Sequence, residues 1–95
     1  MSEEWRFEYS EELTKKLKKL KKRNPKQFEI ILKKRVEIKR IIPDNPDHYK
    51  FLSQDMKGFK RVHIDQHFVL TFKVDKENKV CRFEDYDHHD NIYKK

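Results

Sequence analysis

The five residues Pro43-Asp44-Asn45-Pro46-Asp47 divide the chain into two parts that cannot share one kind of secondary structure. The two prolines lack an amide donor and crowd any preceding helical turn, and Asp and Asn favour turns, so no helix runs through them. Before this break the apolar residues recur at helical spacing, and after it they alternate at the period of a strand. Such a chain must segregate its helices from most of its sheet.

Trp5-Arg6-Phe7-Glu8-Tyr9 alternates apolar and polar residues and is expected to form a short first strand. Ser10 then stands where a helix cap belongs, followed by Glu11 and Glu12 at the electropositive helix start and by the apolar stripe Leu13, Leu17 and Leu20. Asn24-Pro25 combines a cap with a first-turn proline and begins a second helix, whose inward side reads as Phe28, Ile31, Leu32 and Val36. Beyond the break, Phe59 to Asp65, Phe68 to Val74 and Lys79 to Tyr86 read as strands, with a turn at Asp75-Lys76-Glu77-Asn78. Their connections are too short for parallel crossovers, so the three form an antiparallel meander. The expected fold is α+β in the order β-α-α-β-β-β, with two helices on one face of a small, mainly antiparallel sheet. All 95 residues fit one domain. The tail from Asp87 to Tyr93 is polar and rich in histidine.

Charge narrows the range of partners. The net charge is +7, and its distribution says more than its sum. Between Leu13 and Arg40 thirteen basic residues face only Glu29 and Glu37, whereas Phe83 to Ile92 holds four acids and no Lys or Arg. A basic run is often no more than a solvated helix face, but this excess is larger than solubility requires and points to a polyanion such as RNA. Lys15, Lys16, Lys18, Lys19, Lys22 and Arg23 are the expected contacts to such a polyanion, joined by Lys57 and the aromatic Phe68. The single cysteine, Cys81, lies in an apolar-alternating run and reads as a buried thiol. No stretch approaches the ~20 apolar residues of a membrane helix, and the first residues lack the pattern of a signal peptide, so a cytoplasmic location without membrane contact is expected.

Alternation in Phe59 to Asp65 sends Arg61 and His63 to the face opposite Val62 and Ile64; in the last strand it sends Arg82 and Glu84 outward and Cys81 and Phe83 inward. If the two outward sets coincide, Arg61, His63 and Arg82 line a basic surface opposite the helices. RNA can be cut there without metal when a base takes the 2′-hydroxyl proton, an acid protonates the leaving oxygen and cations stabilise the charge. Histidine suits both proton transfers, and four of the five cluster as His63, His67, His88 and His89. Any one of them alone reads more readily as a surface or structural group; two groups flanking a meander with Arg61 and Arg82 favour chemistry. A zinc site is the competing reading, because His63 and His67 are four apart and His88, His89 and Asp90 could complete a shell. That spacing gives a common face only on a helix, and His63 falls in a strand, so no cofactor or metal is expected. The acids around His88 and His89 are expected to favour the protonated imidazole.

Lys57-Gly58-Phe59-Lys60 with Val62-His63-Ile64, Phe68-Val69-Leu70, Arg82-Phe83-Glu84 and the terminal His89 and Tyr93 together resemble the RelE/ParE superfamily of toxins, most closely its YafQ branch. The resemblance spans essentially the whole chain. It implies a ribosome-dependent endoribonuclease that cleaves mRNA in the A site and is held inactive by an acidic antitoxin, partly disordered when free. It also implies that His63 and His89 act in catalysis and that Tyr93 is a terminal aromatic that orients a base. Phe68 stands where that branch has tryptophan, His67 replaces an acid, and Lys50 replaces a histidine and is suited to stabilising phosphate. A non-catalytic RNA-binding module and an inactive toxin-like interaction domain are the alternative readings.

Overall fold

The computed structural model describes residues 4–51 and 58–93. Lys57, expected as an RNA contact, lies outside them. In chain order the elements are β1 (Arg6–Tyr9), α1 (Glu11–Arg23), α2 (Pro25–Ile41), β2 (Lys60–His63), β3 (Phe68–Asp75), β4 (Val80–His88) and α3 (His89–Tyr93). The sheet order is β1-β4-β3-β2, antiparallel except for β1, which runs parallel to β4 at one edge. The expected α+β class and meander are both present.

Both helix starts follow from their caps. The Ser10 hydroxyl accepts the Leu13 amide at 3.0 Å, and the Asn24 side chain accepts the Gln27 amide at 3.2 Å, each satisfying a donor that the first turn leaves open. Helices α1 and α2 then cover one sheet face with a core that includes Leu13, Ile31, Ile38, Phe72, Cys81 and Phe83. Burial pushes the Cys81 thiol up to about 12, as suits an inert core group.

The inward side of α2 matches the expected one at Ile31, which is buried, and leaves Phe28 and Leu32 half-buried, but it differs at Val36. Val36 is 61% exposed, while Gln27, Ile31, Ile38 and the following Ile42 face the sheet. Apolar residues occupy two adjacent stripes of this helix, and a polar partner decides between them: Gln27 Nε2 donates to the buried Tyr86 hydroxyl at 2.8 Å.

The polar, histidine-rich tail, to which the sequence pattern assigns no element, takes up regular structure. Strand β4 continues through His88, and His89–Tyr93 form α3, where Ile92 gives this polar segment one apolar anchor. Ile92 is buried against Val69, with Phe59 alongside, on the sheet face that α1 and α2 leave uncovered.

The corrected α2 orientation is open to a direct test. Ile38→Ala should cost about 2–5 kcal/mol through lost burial and the cavity left behind, whereas Val36→Ala should stay within about 0.5 kcal/mol. Urea unfolding midpoints of the two variants measure the difference, and equal losses would return Val36 to the core.

Candidate active site

One irregularity in β4 decides which side chains meet. The register pairs Thr71 with Asp85 but the next residue, Phe72, with Phe83, so Glu84 is an extra residue in the strand. This bulge reverses the alternation beyond it. Strict alternation from Cys81 and Phe83 would turn Asp85 and Asp87 toward the helices and His88 outward. Instead Tyr86 joins the core, and Asp85 and Asp87 share the outer face with Arg61 and His63. Two rows cross that face: Arg61, Thr71 and Asp85, then His63, Val69 and Asp87.

The bulge sorts the four histidines into two pairs. His89 follows Asp87 by two residues, and Ile92 pins α3 over Val69, so the His89 ring lies against that of His63 with centroids 6.1 Å apart and planes 22° from parallel. The His89 amide is tied to the His67 carbonyl at 2.6 Å. His88 pairs with Phe68 in the ladder and stacks on His67 at 6.0 Å with planes 6° apart. The expectation of one four-histidine cluster is thereby refined: His63 and His89 form the outer-face pair, and His67 stands with His88. Among the described residues no three His, Cys, Asp or Glu side chains are grouped to hold a metal ion.

The cations are not equivalent. Arg61 lies two residues from His63 on the same face and makes no ion pair among the described residues, and its Nε is buried without a hydrogen-bond partner there. Lys50 runs alongside, its carbonyl accepting the Arg61 amide at 3.1 Å beside the Phe51–Lys60 bridge. Arg82 is shared between Glu8 at 3.7 Å and Glu84 at 3.4 Å. It lines a separate open hollow of about 720 Å³ with Arg6, Glu8 and Lys73, where no histidine reaches. Arg82 is therefore on the expected face but not beside the histidine pair, because its ladder partner Lys73 lies four residues along β3 from Val69, the partner of His63.

Two expected RNA contacts are engaged within the fold. Phe68 is half-buried on the helix side, stacked on Tyr86 at 5.2 Å with His88 edge-on at 5.4 Å, so it is not a platform beside His63 and His89. Lys16 turns away from its exposed neighbours Lys15, Lys18, Lys19, Lys22 and Arg23 and pairs with Asp85 at 2.7 Å and Asp87 at 3.3 Å. Burial opposes charge on Lys16, but these two acids outweigh it and raise its pKa. Burial likewise works against ionised Asp87, and bonds from Asn91, the His88 amide and Lys16 outweigh it, holding the carboxyl below the usual range. Tyr93 ends α3, one residue beyond the anchor Ile92.

Sequence reasoning counts Asp85 and Asp87 only among the acids of the tail and gives neither them nor Ile92 a positioning role. The legible signals were an Asp-x-Asp pair next to an unpaired apolar residue in a polar tail.

No profile of a known protein family matches the chain. Individual relatives do. A protein of Methanocaldococcus jannaschii described as a candidate toxin, RelE4, is 52% identical over 91 residues, covering 96% of this chain and 93% of the relative. An uncharacterised protein of Methanosarcina mazei is 54% identical over 82 residues, covering 86% and 91%. Among solved structures, a chain of the Escherichia coli DinJ–YafQ complex superposes with a TM-score of 0.68 at 24% identity, over 95% of this chain and 99% of that one. A chain of the RelBE2 toxin–antitoxin complex of Mycobacterium tuberculosis gives 0.60 at 19% identity, over 90% and 99%. The structural likenesses carry the fold, and the identity to the archaeal relative carries the kinship: the chain belongs to the RelE/ParE superfamily of toxins.

Proposed function

We propose that this chain is the toxin of a toxin–antitoxin pair and cuts ribosome-bound mRNA in the A site by attack of the RNA's own 2′-hydroxyl, without metal. The observation that carries this reading is the outer-face pair of His63 and His89 beside an Arg61 that has no acidic partner among the described residues. Two imidazoles held together supply a base and an acid near neutral pH. His63 removes the 2′-hydroxyl proton; the oxygen attacks phosphorus; His89, protonated, gives its proton to the departing 5′-oxygen. Arg61 and Lys50 stabilise the added negative charge on the phosphoryl oxygens. Arg82 holds a flanking phosphate, and Tyr93 orients a base.

The remaining cations dock the protein. With Lys16 committed to Asp85 and Asp87, the exposed face of α1 is left to Lys15, Lys18, Lys19, Lys22 and Arg23. Lysines without acidic partners suit phosphate contacts that need no fixed geometry. The natural inhibitor is an antitoxin with an acidic segment, partly disordered when free. It is complementary to this positive chain and folds on it. The solved DinJ–YafQ and RelBE2 structures are toxin–antitoxin complexes of the same fold.

Two experiments test the reading. His63→Gln and His89→Gln should each lower cleavage of mRNA on programmed ribosomes by about 10²–10⁴-fold while leaving ribosome binding intact, the loss expected for one acid or base group. His88→Gln should do far less, since His88 lies with His67 and Phe68. Binding without cleavage in the wild-type protein would make it an RNA-binding module instead. Separately, replacing Lys15, Lys18, Lys19 and Lys22 together by Gln should weaken ribosome association and flatten its salt dependence, because each lost phosphate contact removes released counterions. An unchanged slope in a salt titration would move docking to another surface.

A further inference from the structure

Strand β1 ends at Tyr9, opposite Phe83, so from Glu84 onward β4 has no strand on that side. Its edge carbonyls there need other donors. Helix α1 supplies them. Ser10 Oγ donates to the Glu84 carbonyl at 2.6 Å, and Lys16 Nζ donates to the Tyr86 carbonyl at 3.2 Å. The same ammonium reaches Asp85 Oδ1 at 2.7 Å and Asp87 Oδ2 at 3.3 Å, so its three hydrogens match three acceptors on the bulged strand.

Asp87 carries the connection onward. Its Oδ1 accepts the His88 amide at 2.7 Å and Asn91 Nδ2 at 3.1 Å, and Asn91 belongs to α3. A helix of five residues is far too short to hold itself together. Its place depends on the Ile92 anchor, the His89 amide bond to His67 and this side-chain clasp. Asp85 and Asp87 also share one strand face, where two like charges repel unless a cation stands between them. An exposed ion pair would contribute little; here the Asp85 side chain is only 11% exposed, and the Lys16–Asp87 pair, at 32% and 29%, is part of the same set of bonds rather than a lone contact.

Resting on the assignment of His89 to catalysis, we propose that Lys16 and Asp87 are positioning residues that hold the bulged end of β4 and the start of α3 in the register that places His89, rather than His88, beside His63. A slip of one residue would exchange the faces of the two histidines. Displacing a proton-transfer group by about 1 Å is enough to cost on the order of 10²-fold in rate. Lys16 would thus act on the chemistry through Asp87 without touching RNA.

The test uses the full-length toxin on ribosomes programmed with mRNA, comparing Lys16→Met, Asp87→Asn and the milder Asn91→Ala, whose exposed side chain loses only its bond to Asp87. Each folded variant should lose at least about tenfold in kcat with KM for ribosomes changed less than about twofold. The Lys16→Met/Asp87→Asn double variant should be no slower than its slower parent, as expected of residues acting through one contact. Hydrogen exchange at the His89 amide should accelerate in all of them. Wild-type kcat in all three single variants, or lowered kcat with His89 exchange unchanged, would overturn the proposal. His89→Gln separates the two layers. If that variant cuts normally, the catalytic assignment falls, and exchange alone decides whether Lys16 and Asp87 hold α3: acceleration upholds the clasp and no change refutes it.

Discussion

The one-residue bulge at Glu84 is the constraint on which the candidate site's face depends. A regular β4 would keep the parity of Cys81 and Phe83 to its end, burying Asp85 and Asp87 under the helices and turning Tyr86 out. The added residue keeps two carboxylates out from under the helices, leaving the buried Asp85 paired with Lys16, and gives the core an aromatic ring whose hydroxyl is already partnered by Gln27. Burying an unpaired carboxylate costs several kcal/mol or forces its protonation, so the bulged register is strongly preferred. His89 reaches His63 as a consequence of that preference. Bulges beside active sites commonly re-aim a side chain in this way.

The same energetics divide the basic residues by role. A lysine with two carboxylates and a carbonyl, such as Lys16, is committed to structure; an arginine shared between Glu8 and Glu84, such as Arg82, is half-exposed and stands apart from the histidine pair, where only a flanking phosphate could meet it. Arg61, which makes no ion pair among the described residues, keeps its full charge next to the histidine pair. Net charge alone hides this division. Thirteen basic residues across α1 and α2 look uniform in the sequence, yet their partners make one a clasp and leave others for solution or RNA.

Much of the fold was legible because it rests on local rules. Ser10 and Asn24-Pro25 set the helix starts, Pro43 to Asp47 ended the helical part, and alternation placed β2 and β3 with Arg61 and His63 outward. What was not legible depends on contacts distant in sequence. The inward side of α2 is chosen by Gln27 meeting Tyr86, 59 positions away. The bulge has no composition signal at Glu84, and the commitment of Lys16 depends on acids 69 and 71 positions later. Phe68 was read as a surface aromatic because alternation alone does not reveal that Tyr86 and His88 flank it. The resemblance to the superfamily selected His63 and His89, and the geometry supplies the reason that His88, adjacent in sequence, pairs elsewhere.

The most direct measurement is the chemical identity of the ends left on mRNA cut by the purified toxin on programmed ribosomes. Attack by the RNA's own 2′-oxygen, with His63 and His89 moving the protons, leaves a 2′,3′-cyclic phosphate or its 3′-phosphate hydrolysis product upstream and a 5′-hydroxyl downstream. A 5′-phosphate on the downstream fragment would show that water was the nucleophile, and would contradict the roles assigned to the histidine pair.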